Sequence, residues 1–291
     1  MTELNISPWL LDKIIKGETI LFLGAGASID HSKAKDELHA LTSDELKNLL
    51  SDEFLGGRKK SWSLSRVAEY AKNLSSLIEV QTFIKDKFEP LQPSDFHLLI
   101  PKFRWHSIIT TNYDLIIERA YELCEERNQV LKPIISDQDN FNDLIQDANA
   151  LPFLKLHGCI TRINDDRTPL ILGSEEYAKY ERNRKNLFNH LKEWGLSYPI
   201  IFCGYEIEDP NIQHILFDLN DHGINRHRYA IIKPDIDDLD ERVWQSRRFD
   251  TVKADFSEFL EYLDNNIDKK DRILASIYIK EEHPIGSFIS S

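Results

Sequence analysis

The chain has 291 residues, 41% of them hydrophobic, enough for one large domain or two ordinary ones with a substantial core. Its formal net charge of −13 excludes a sequence-independent duplex DNA or RNA binder, whose affinity comes from cationic side chains on phosphates. No apolar run approaches the roughly 18 residues of a membrane span, and the start, Met1 to Leu10, lacks the basic and apolar regions of a signal peptide. A cytoplasmic protein is expected. Cys124, Cys159 and Cys203 are scattered, with no C-x-x-C pair, so neither a disulfide framework nor a structural zinc site is expected.

Ser7 and Pro8 give a cap-plus-proline start to a first helix over 7–16, which Gly17 ends. The apolar run Ile20 to Leu23 predicts a buried strand within 19–23, followed at once by Gly24-Ala25-Gly26-Ala27-Ser28. Two glycines spaced by one small residue let the backbone turn tightly and let a ligand approach bare peptide groups. In an α/β protein such a turn commonly cradles a phosphate on free N–H groups. The third glycine of a dinucleotide fingerprint is missing, and Ile29 follows instead. From Asp36 to Phe88 the pattern is helical, with candidates at 43–50, 62–73 and 75–88; this predicts a helical insertion over 31–95. Gly56-Gly57 and the basic Arg58, Lys59 and Lys60 mark an exposed loop within it.

Alternation of strands and helices resumes with a short helix from Phe96 to Ile100 and a strand from Trp105 to Thr110. Thr111-Asn112-Tyr113-Asp114 leads into a helix over Leu115–Glu125. Then come a strand at Lys132–Ile135, a helix at Asn140–Asp147 and a strand at Pro152–Leu156 that ends in His157-Gly158. Residues 160–172 read as short extended pieces around an Asn164-Asp165-Asp166 turn. Helices at 174–181 and 184–194 precede a strand at Tyr198–Cys203, which ends in Gly204-Tyr205-Glu206. Asp209-Pro210 starts a helix to Leu219, Arg228–Ile232 is a strand, 238–246 a helix, Phe249–Val252 a strand, and 256–279 largely helical. The expected division is one domain over 1–270 and a tail over 271–291 that leads toward a further domain.

Apolar strands alternating with helices predict an α/β fold: a Rossmann-like parallel sheet with helices on both faces. Ligands of such sheets sit beyond the carboxyl ends of the strands. Four polar or glycine-rich segments fall at such ends, at 24–28, 111–114, 157–158 and 204–206, so one crevice can collect them all.

G-A-G-A-S (24–28), T-N-Y-D (111–114), L-H-G (156–158) and G-Y-E-I-E-D-P-N-I (204–212) occur in the order and spacing of a SIR2-like domain, which the chain resembles over about residues 18–235. The three isolated cysteines cannot supply the paired zinc cysteines of a sirtuin deacylase. The resemblance is therefore to the zinc-free SIR2-like group, whose members in bacterial anti-phage systems hydrolyse NAD+. It implies NAD+ as substrate, no metal or other cofactor, homo-oligomers, and control by a further domain or partner protein. His157 and Asn112 match the catalytic histidine and asparagine. Gly24, Ala25, Gly26 and Ser28 match the pyrophosphate and ribose turn, while Thr111 stands where sirtuins have glutamine. Asp114 matches the following aspartate, and Gly204 a glycine beside the adenosine half. Glu206 replaces a serine; a carboxylate there either accepts from adenosine-ribose hydroxyls or faces solvent. Imidazole, with an unperturbed pKa of about 6.5, leaves a neutral base at cellular pH. Against these roles stand ordinary ones: a strand-end histidine bonded to a carbonyl, and helix N-caps at Asn112, Asp114 and Asp209. Two further functions fit the same residues: an NAD+- or ADP-ribose-binding assembly module without turnover, and a protein deacylase or ADP-ribosyltransferase.

Overall fold

The computed structural model describes residues 4–30, 38–139, 141, 147, 149–179, 182–205, 207, 210–221 and 229–272. The predicted helix at Asn140–Asp147, the Asp209 cap, Glu206 and the tail beyond 272 lie outside them, wholly or in large part. Seven strands make one parallel sheet: β1 (Ile20–Leu23), β2 (Ser107–Thr110), β3 (Val130–Ile134), β4 (Ala150–Lys155), β5 (Ile200–Cys203), β6 (Tyr229–Ile232) and β7 (Phe249–Val252), in the order β3-β4-β2-β1-β5-β6-β7. The chain builds one side of β1 with β2, β3 and β4, β3 lying at the outer edge, and then the other side with β5, β6 and β7, so the strand order switches sides at β1.

Strands β1, β2, β5 and β6 are four-residue runs with every residue buried. Burial on both faces is what an almost wholly apolar parallel strand requires. Alternate residues serve opposite faces. Leu21, Leu23, Ile108, Phe153 and Ile201 pack with α1 (Pro8–Ile15), the 3-10 turn Asp95–Lys102 and α10 (Phe256–Asn266). On the other side Ile20, Phe22, Ile109, Leu154 and Phe202 pack with α7 (Lys185–Gly195) and α8 (Pro210–Asp221). Helix α5 (Ile116–Leu123) follows β2, α6 (Ser174–Lys179) precedes α7, and α9 (Asp238–Ser246) joins β6 to β7. Among the described residues no helix is long and apolar enough to cross a membrane.

Among the described residues the insertion holds three helices: α2 (Ser43–Leu55), α3 (Leu64–Leu74) and α4 (Leu77–Phe88). They share one apolar core with Ile116, Ile160, Ile163, Leu170 and Leu172, and so cover the loops that follow β2 and β4 instead of standing apart. Buried Gln81 clamps that region, donating to Ile163 O at 3.0 Å and accepting from Leu170 N at 2.7 Å. The same clamp replaces the extended pieces expected over 160–172: a 3-10 turn at Ile160–Arg162 and irregular backbone stand there, with no strand. Pro101 does not end its helix, because the segment is a 3-10 run that continues to Lys102. The stretch expected to be largely helical over 256–279 holds α10, with its C-cap at Ile267, and a helical turn over 269–272; residues 273–279 lie outside the described residues.

The ends of β1 and β5 meet without side chains between them. Gly204 adopts a left-handed conformation, φ +59°, and a Cβ there would lie 2.0 Å from Ala27 N. A Cβ on Gly24 would lie 2.4 Å from Gly204 O, and one on Gly26 2.8 Å from Gly204 Cα. Gly204→Ala is therefore expected to lower stability by at least about 2 kcal/mol, from the left-handed backbone and the clash together. Chemical denaturation checks it, and an unchanged midpoint would contradict the close approach.

His106, stacked on Tyr198 at 3.8 Å and edge-on to Trp194 at 5.2 Å, is desolvated, which lowers its pKa from the usual 6.5 to about 4. The folded state holds this ring neutral while the unfolded chain protonates it. The stability it contributes is present above pH 6.5 and is lost as pH falls toward 4, by up to about 3 kcal/mol. His106→Phe should flatten the pH dependence of the melting temperature across that window; an unaltered slope would contradict it.

Candidate functional site

Register brings the four segments to one edge. Leu23 lies opposite both Thr110 and Cys203, and Thr110 lies opposite Lys155. Two residues beyond that row stand Ala25, Asn112, His157 and Tyr205, on neighbouring strands spaced about 4.8 Å apart.

Asn112 is held through its amide nitrogen, which donates to Gly24 O at 2.8 Å and to Ser28 Oγ at 3.0 Å. A carbonyl can only accept, so this contact fixes which way the amide faces. Among the described residues nothing donates to Asn112 Oδ1, leaving that oxygen as the acceptor the half-buried side chain offers. Ser28 passes the order on, donating to Asp114 Oδ2 at 3.0 Å, while Asp114 Oδ1 accepts from Ile116 N at 3.0 Å. Asp114 is thus both the turn residue that starts α5 and the anchor of the Asn112–Ser28 chain. Thr111 is half-buried and its amide donates to Leu23 O at 3.4 Å. Beneath this chain lies Lys155, fully buried, donating to Asp114 O and to Glu118 Oε1. Burial pulls its ammonium pKa down, but Glu118, Cys159 and Asp114 outweigh that and hold it raised and charged.

His157 is 8% exposed. Its carbonyl accepts from Ile171 N at 2.9 Å, and Tyr177 lies edge-on to its ring at 5.4 Å with the hydroxyl 3.4 Å from Nε2. Gly158 has φ +94°, and a Cβ there would meet Arg184 Nη2 at 3.0 Å and Pro169 O at 3.2 Å. The glycine after the histidine is required by the turn and by the arginine behind it. Tyr177 is carried by α6, which Glu176 fixes to the insertion through a buried ion pair with Lys72 at 2.5 Å.

The glycine turn departs from the open cradle its sequence predicts. Gly24 N donates to Cys203 O, Gly26 N to Gly204 O, Ala27 N to Gly24 O and Ile29 N to Gly26 O, all between 3.0 and 3.3 Å. These amides close the turn on itself and on the β5 loop. Ala25 N, at the first position of the 3-10 turn Ala25–Ser28, meets no acceptor among the described residues and is the amide that remains for an anion. Gly204 is at the same edge; Glu206 is outside the described residues.

Three contributors escape a sequence-only reading: Lys155, Tyr177 and His97. His97 is fully buried, accepts from Ser94 N at Nδ1 (3.0 Å), and so carries its proton on Nε2, which lies 3.0 Å from Ala27 O. It props the glycine turn from below. The one available signal is its place three residues after Ser94, the spacing of a capping box. Among the described residues no three His, Cys, Asp or Glu side chains gather as a metal site. The three cysteines are buried free thiols.

Comparison with known proteins finds the following relatives. The NAD(+) hydrolase ThsA of Enterococcus faecium is 27% identical over 215 residues, covering 72% of this chain and 41% of that protein. Defense-associated sirtuin 2 of Bacillus subtilis is 27% identical over 210 residues, 69% of this chain and 19% of its own length. The NAD(+) hydrolase ThsA of Bacillus cereus is 24% identical over 202 residues, 68% and 38% of the two chains. The chain thus spans less than half the length of these relatives. A family model described as the SIR2-like domain matches residues 106–252, which hold Asn112, His157 and Gly204 and make up half of the sequence. The chain belongs to the SIR2-like domain family.

Proposed function

We propose that this chain is an NAD+ hydrolase, releasing nicotinamide and ADP-ribose as the NAD-depleting part of an anti-phage defence. The observation that carries the reading is the lateral alignment of Asn112 and His157 beyond β2 and β4, beside the glycine junction of β1 and β5. The names of the ThsA relatives and of the defence-associated sirtuin support it.

The reaction breaks the bond between the ribose C1′ and the nicotinamide nitrogen. Positive charge builds on the ribose, and nicotinamide leaves neutral. Water adds at C1′ and loses a proton, so NAD+ and water give nicotinamide, ADP-ribose and a proton. Preorganised polar groups near that carbon lower the barrier without a covalent nucleophile. In this reading Asn112 Oδ1 accepts from the water or a ribose hydroxyl, held in place because its amide nitrogen is bonded to Gly24 and Ser28. His157 takes the proton. Ala25 N and Ser28 border the pyrophosphate, Asp114 and Thr111 shape the nicotinamide end, and Gly204 lies beside the adenosine. The protein works in the cytoplasm as a homo-oligomer, under a regulatory domain or partner.

His157→Ala and Asn112→Ala should each lower NAD+ turnover by at least about 100-fold, the usual worth of a positioned acid–base or polarising group. Each should leave the melting temperature within a few degrees of the parent. Nicotinamide release by the full assembled protein, followed by chromatography, reads the effect. Undiminished turnover in both variants would overturn the assignment of these residues.

A further inference from the structure

A second polar cleft, of about 600 Å³, opens between the helical insertion and the segment that carries α6 and the start of α7. None of Ser28, Asn112, Asp114 or His157 lines it. Its volume falls within the roughly 300–1,000 Å³ of small-molecule sites. Its floor holds an anomaly. Arg184 is 2% exposed, yet among the described residues no carboxylate pairs with it. Its Nε donates to Ile135 O at 3.3 Å and its Nη2 to Pro169 O at 2.6 Å. Nη1 has no acceptor among the described residues and is not among the sealed orphan atoms of the core, and Arg184 lines the cleft.

The nearby acids do not answer this charge. Asp137 accepts from Asn186 N and Leu187 N, and Asp165 pairs with Arg167 at 3.0 Å. Burial lowers the guanidinium pKa to about 10, with Tyr113, Asp137 and Asp165 opposing from beyond ion-pair distance. A buried charge with no opposite charge is costly, and an anionic ligand offsets that cost. Arg182, exposed on the same wall, is a second guanidinium with no partner among the described residues. The cleft's acids divide in two. Glu176 is neutralised by Lys72 and Glu175 by Lys179, whereas Glu69 and Asp166 form no ion pair among the described residues. Two guanidiniums suit a phosphate, which they can bind through parallel N–H donors, and two free carboxylates suit hydroxyl donors.

We propose that this cleft is a second binding site, separate from the Asn112–His157 edge, for a phosphate ester that carries sugar hydroxyls, of nucleoside monophosphate size. Arg184 and Arg182 take the phosphate, and Glu69 and Asp166 accept from the hydroxyls. The site also touches the catalytic side. Arg184 braces Pro169 and Gly158, and Ile171, two residues beyond Pro169, donates to His157 O. Occupancy would thus bear on His157, a consequence that rests on the proposed hydrolase reading; the binding itself does not.

Titration calorimetry of the full protein with AMP, inorganic phosphate and adenosine, at constant ionic strength, tests it. AMP should bind most tightly, phosphate more weakly, and adenosine without measurable heat. Arg182→Ala, an exposed change that spares the fold, should weaken AMP at least tenfold, as should Arg184→Gln. Absence of AMP binding to the parent would overturn the proposal. So would AMP affinity equal to the parent's in Arg182→Ala, which would assign the nucleotide to the glycine-turn edge.

Discussion

The shared register of β1 with both its neighbours is the constraint on which the rest of the molecule depends. Because Leu23 lies level with Thr110 and with Cys203, and Thr110 with Lys155, four loops leave the sheet at one height. Loops at one height collide unless something yields. On the β5 side glycine yields, with Gly24, Gly26 and Gly204 meeting backbone to backbone. On the β2 side the collision becomes a hydrogen-bond chain, Asn112 to Ser28 to Asp114. The same packing that closes the fold therefore orders the polar groups at its edge.

That order is supported from underneath and from the side. Lys155 under Asp114 and His97 under Ala27 are buried polar groups with satisfied partners, and such groups fix one arrangement where apolar packing would tolerate several. From the side the insertion closes over the loops after β2 and β4, through Gln81 and the Lys72–Glu176 pair. Truncating either partner of that pair would leave a buried charge unpaired, so the insertion and α6 are energetically one unit. Tyr177 ties this unit to the His157 ring.

Much of this was legible in the sequence, because it rests on local chemistry. Four-residue apolar runs such as I-L-F-L and I-I-F-C read as buried parallel strands, and the polar residues just past them mark the ligand edge. Ser7-Pro8 announces the first helix. What was not legible depends on contacts distant in the chain. That the amides of Gly24 and Gly26 are already bonded, to Cys203 O and Gly204 O, follows from the approach of the β5 end, some 180 residues later. The irregular path of 160–172 follows from Gln81, and the unpaired charge of Arg184 from a carbonyl at Pro169. Lys155 sits in an apolar strand with nothing in its neighbours to foretell the oxygens around it.

On the proposed reading, the edge formed by Asn112 and His157 delivers water to the ribose of NAD+. The most direct test is turnover of NAD+ by the full assembled protein in water enriched in ¹⁸O, with the products weighed by mass spectrometry. Unlabelled nicotinamide and ADP-ribose carrying a single ¹⁸O at C1″, the former nicotinamide-ribose carbon, are expected. ADP-ribose without the label, a cyclised product, or intact NAD+ under conditions that permit assembly would contradict that reading.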